Sequence, residues 1–130
     1  MTAADAQFRQ LAARLVATEG GHDAAAAVVR LYETYFDRLA PVIGARGVRA
    51  LFARAVEVEK TRHACLAALV LDGDPRAAAL PLITCLSDEP PDAAHAAVVA
   101  VLAAFIGLIV NILGADLGAR ILGTELKEIR

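Results

Sequence analysis

The sequence predicts an all-α protein, a bundle of four to five helices with a long, apolar C-terminal helix, seamed by Ala and Gly, at its centre. Three observations predict it. Residues 93–115, AAHAAVVAVLAAFIGLIVNILGA, carry no Asp, Glu, Lys or Arg. The segments before that run repeat apolar residues at steps of three and four, the period of a helix with one buried face. No segment alternates apolar and polar residues convincingly enough for a strand. Alanine, the strongest helix former, is the commonest residue.

The chain has 130 residues, 58% of them hydrophobic and only 5% aromatic, with no Trp. One domain over residues 1–130 is expected, large enough for a core without metals or disulfides. An alanine-rich core buries little area per residue, so stability must come from many interhelical contacts or from an oligomer interface. The net charge of −2, with both signs intermixed, offers no basic stripe for a phosphate backbone. Nucleic-acid binding is therefore not expected. Cys65 and Cys85 lie in apolar contexts, HACLAAL and PLITCLS, which suits reduced buried thiols rather than a disulfide framework. The first fifteen residues are charged from Asp5 onward and lack a signal-peptide apolar region. The expected compartment is the cytoplasm.

The first helix begins behind Thr2 as cap and shows Phe8, Leu11, Ala12, Leu15 and Val16 on one face until Gly20-Gly21 stops it. The second begins at Asp23, presents Val28, Leu31, Tyr32, Tyr35, Phe36 and Leu39, and should end or kink before Pro41. Tyr35 and Phe36 are read as core. Residues 42–47, VIGARG, read as a turn. A third helix is expected from Val48 to about Leu71, although residues 57–63, EVEKTRH, interrupt its apolar stripe for nearly two turns. Asp74 and Pro75 start a fourth, shortened or bent at Pro81. Residues 87–92, SDEPPD, then break the chain and place acid at the start of the central helix. That helix either continues to about residue 122 or bends near Gly114.

On a helical net the small residues of the central helix fall in one stripe: Ala96, Ala100, Ala103, Gly107, Asn111, Gly114 and Gly118. Such a seam lets a neighbouring backbone approach closely, so it is read as a helix-packing or dimer seam. Asn111 is the lone amide amid FIGLIVNILGA, and buried without a partner it would cost about 1–3 kcal/mol. Pairing across a two-fold axis would satisfy it, as would a bond within one subunit. The same run is long enough to cross a membrane. The other helices are amphipathic, however, and need a surface to cover; burying the long helix among them solves both problems. A membrane span is the lesser expectation.

Two segments carry a resemblance. Residues 39–56, LAPVIGARGVRALFARAV, resemble a segment of a loosely defined group of small uncharacterised bacterial all-helical proteins. Residues 105–122, FIGLIVNILGADLGARIL, are similar to the C-terminal helix of the same group. The resemblance implies a helical, soluble, bacterial protein and carries no activity.

Chemistry finds little support. His22, His63 and His95 form no ExxH or HxxxH pair. Glu59 and His63, four apart, share a helix face and make a candidate polar patch. Two ligands are too few for zinc, and a solvated ion pair is the plainer reading. His63 and Cys65, two apart, point to different faces, and Gly44 and Gly47 lack the lysine of a phosphate loop. An enzyme is not expected, and neither is a cofactor or a metal. The expectation is a non-enzymatic helical protein–protein interaction module, a regulatory role being one form of it, that forms a homodimer. The alternative is a carrier or sensor of a small apolar ligand, a lipid or a haem-like group, held in an interhelical cavity beside the Glu59–His63 patch.

Overall fold

The computed structural model describes residues 3–20, 24–63, 66, 84, 86, 89–114, 116, 117 and 120. Among these the fold is all-α: α1 (Ala3–Gly20), α2 (Ala24–Ile43), α3 (Ala45–Glu59) and α4 (Pro91–Leu113). The expected positions of the Thr2 and Asp23 caps, both cysteines, His22, Gly118, the last ten residues and, apart from the helical Thr84 and Leu86, the helix after Asp74 lie outside the described residues.

Short links fix the directions. Three residues separate α1 from α2, and Gly44 alone separates α2 from α3, so each pair runs antiparallel. α4 runs with α2, because Tyr32 reaches Phe105 while Val28, a turn earlier, lies beside Ala97, Val98 and Val101. The four therefore alternate in direction. α4 packs chiefly on its antiparallel neighbours α1 and α3 and also meets α2.

The core is aliphatic at both ends and aromatic in the middle. Tyr32 stacks on Phe52 with ring centroids 3.9 Å apart, and Phe105 meets both edge-on at 6.1 and 5.5 Å. These three rings join α2, α3 and α4 at one level. Each aromatic pair contributes about 0.5–1.5 kcal/mol beyond the area it removes from water. Tyr35 is buried as expected, whereas Phe36 is only partly covered and meets the edge of Tyr32 at 6.2 Å.

Three expected boundaries move. The turn over residues 42–47 shrinks to Gly44, whose φ of 85° and ψ of 152° reverse the chain in one step. That backbone region is open essentially to glycine alone. Its N–H still closes α2 by donating to the Ala40 carbonyl at 2.8 Å. Pro41 thus sits inside the last turn of α2 rather than ending it. So close to the helix end a proline forfeits one hydrogen bond, and buried Leu39 and partly buried Ile43 hold the turn in place.

The third helix stops at Glu59 instead of running to 71. Beyond it the Arg62 and His63 amides both donate to the Glu59 carbonyl at 3.1 Å, which tightens the chain into a turn. Residues 57–63 offer no apolar stripe to keep a helix on the core, and buried Leu66 marks where the chain returns. The central helix starts with Pro90 as cap, Pro91 in the first turn and Asp92 near the positive pole. It ends at Gly114, φ 85°, with the Gly114 amide bonded to Val110 at 2.8 Å. Of the two expectations for its end, the bend at Gly114 is the one observed; Asp116, Leu117 and Arg120 are helical again beyond it.

Candidate docking surface

The polar patch differs from its expected form. Glu59 is buried, 4% exposed, on the face of α3 that also holds Phe52, Ala55 and Val56. Its Oε2 has no hydrogen-bond partner. The expected Glu59–His63 ion pair is absent; the ion pair here is Lys60 Nζ to Glu57 Oε2 at 3.0 Å, one turn around the helix. The helix ends at Glu59, so the register that would have aligned the two side chains on a common exposed face is lost. His63 is half-exposed in the following turn. Among the described residues no three His, Cys, Asp or Glu side chains gather as a metal site.

The seam divides in two. Ala96, at its start, is exposed, and the stretch from Ala100 to Gly107 is used inside the chain. Ala100 and Ala103 are buried, and a Cβ at Gly107 would meet the Phe8 ring of α1 at 3.4 Å. Gly107 therefore lets α1 approach α4, which is the close packing such a seam permits. Its second part is open. Asn111 and Gly114 are exposed, so the desolvation cost expected of a buried Asn111 does not arise within one chain. Gly114 caps the helix rather than packing against another.

An apolar crevice lies among Val28, Leu66, Leu86, Ala97, Val98 and Val101. Its empty volume is about 170 Å³, open solvent included, and it is too tight to seat a water molecule. It does not supply the cavity a bound lipid or haem-like group would need.

What remains is one end of the bundle. The directions set out above bring the end of α2, the start of α3 and the end of α4 to the same level. There Val42 is 50% exposed, Ile112 57% and Leu117 41%. Leu108, Val110 and Leu113 are partly covered beside them. Between Val98 and Ile109 most of α4 is sheathed; past Ile109 the helix emerges from its neighbours. Within its 22-residue stretch Asp92–Leu113 an 18-residue window reaches a mean hydropathy of 2.8, enough by length and composition to cross a membrane, and half of that window is buried in the bundle. The helical period of the sequence pointed to this helix as the core. It did not show that the last turn protrudes, because the residues stay apolar all round.

No family model matches the chain, and comparison with curated proteins and with solved structures gave no match.

Proposed function

We propose that this chain is a non-enzymatic docking module: a helical scaffold that presents one apolar end to a partner surface. The observation that carries the reading is the exposure of Ile112, Val42 and Leu117 at a common end of a bundle in which the other large apolar side chains among the described residues, Val58 aside, are at least partly covered. Large aliphatic groups left in water at one place mark a contact surface, whereas single scattered ones do not. A second copy of the chain is the protein partner expected from the sequence.

Retention on a phenyl matrix tests the reading without naming a partner. Val42→Asp with Ile112→Asp should elute clearly ahead of the unaltered protein. Val58→Asp, which changes an isolated exposed valine at the far end of α3, should shift little. Equal elution of all three proteins would remove the reading. Light scattering adds the partner's identity: a dimer that the double variant dissociates is self-association through this end.

A further inference from the structure

We draw no further inference here: the strongest candidate, the apolar patch of Val42, Ile112 and Leu117 at one end of the bundle, carries nothing beyond the docking reading, because nothing in the structure shows what covers it.

Discussion

Glu59 is the residue least reconciled with its surroundings. It is buried at the carbonyl end of α3, where the helix dipole disfavours a carboxylate, and its Oε2 has no partner. A buried polar atom without a hydrogen bond costs about 1–3 kcal/mol. Glu59→Leu should therefore stabilise the fold by about that amount, read as a higher midpoint in urea at unchanged slope. An unchanged or lower midpoint would show that the carboxylate is satisfied. The polar run EVEKTRH disguised this residue's state, although its spacing from Phe52, Ala55 and Val56 places it on the buried face of α3 while Glu57 and Val58 face solvent. Gly107 was easier to read. Its place in a small-residue stripe announced a close approach, though not that the approaching group is the ring of Phe8 from the other end of the chain. Asn111 misled for the opposite reason: apolar sequence neighbours imply burial only where another helix lies alongside.

At the level of elements, helix existence was legible and helix ends were not. Phe8, Leu11, Ala12 and Val16 on α1, and Val48, Phe52, Ala55 and Val56 on α3, are buried at the spacing that the sequence displays. The α2–α3 corner was harder, because Pro41 and two nearby glycines suggested a loop where one glycine suffices. No atom lies within 4 Å of a Cβ built on Gly44, so steric crowding is not what requires glycine there; its backbone angles are. Gly44→Ala should accordingly cost about 1–3 kcal/mol, measured by the same urea transition. A neutral result would mean that the corner adopts another conformation, and that Val42 need not lie at the same end of the bundle as Ile112.

In the whole molecule, the neighbours of the apolar helix α4 cover it from Val98 to Ile109 and leave its last turn exposed. That arrangement explains why so hydrophobic a segment coexists with three helices of mixed polarity: their apolar faces and its flanks cover each other. It also leaves Val42, Ile112 and Leu117 uncovered at one end, with Val58 exposed at the other. The sequence disclosed the need for a sheath but not its length, since nothing in FIGLIVNILGA marks where the covering helices stop. Hydrogen exchange of the full chain in detergent-free buffer measures that length directly. The amides of Val98 to Ile109 should be the slowest, opening only with global unfolding, while those of Ile112 to Gly114 exchange much sooner. Fast exchange throughout α4, or protection that appears only when detergent or lipid is added, would contradict the account.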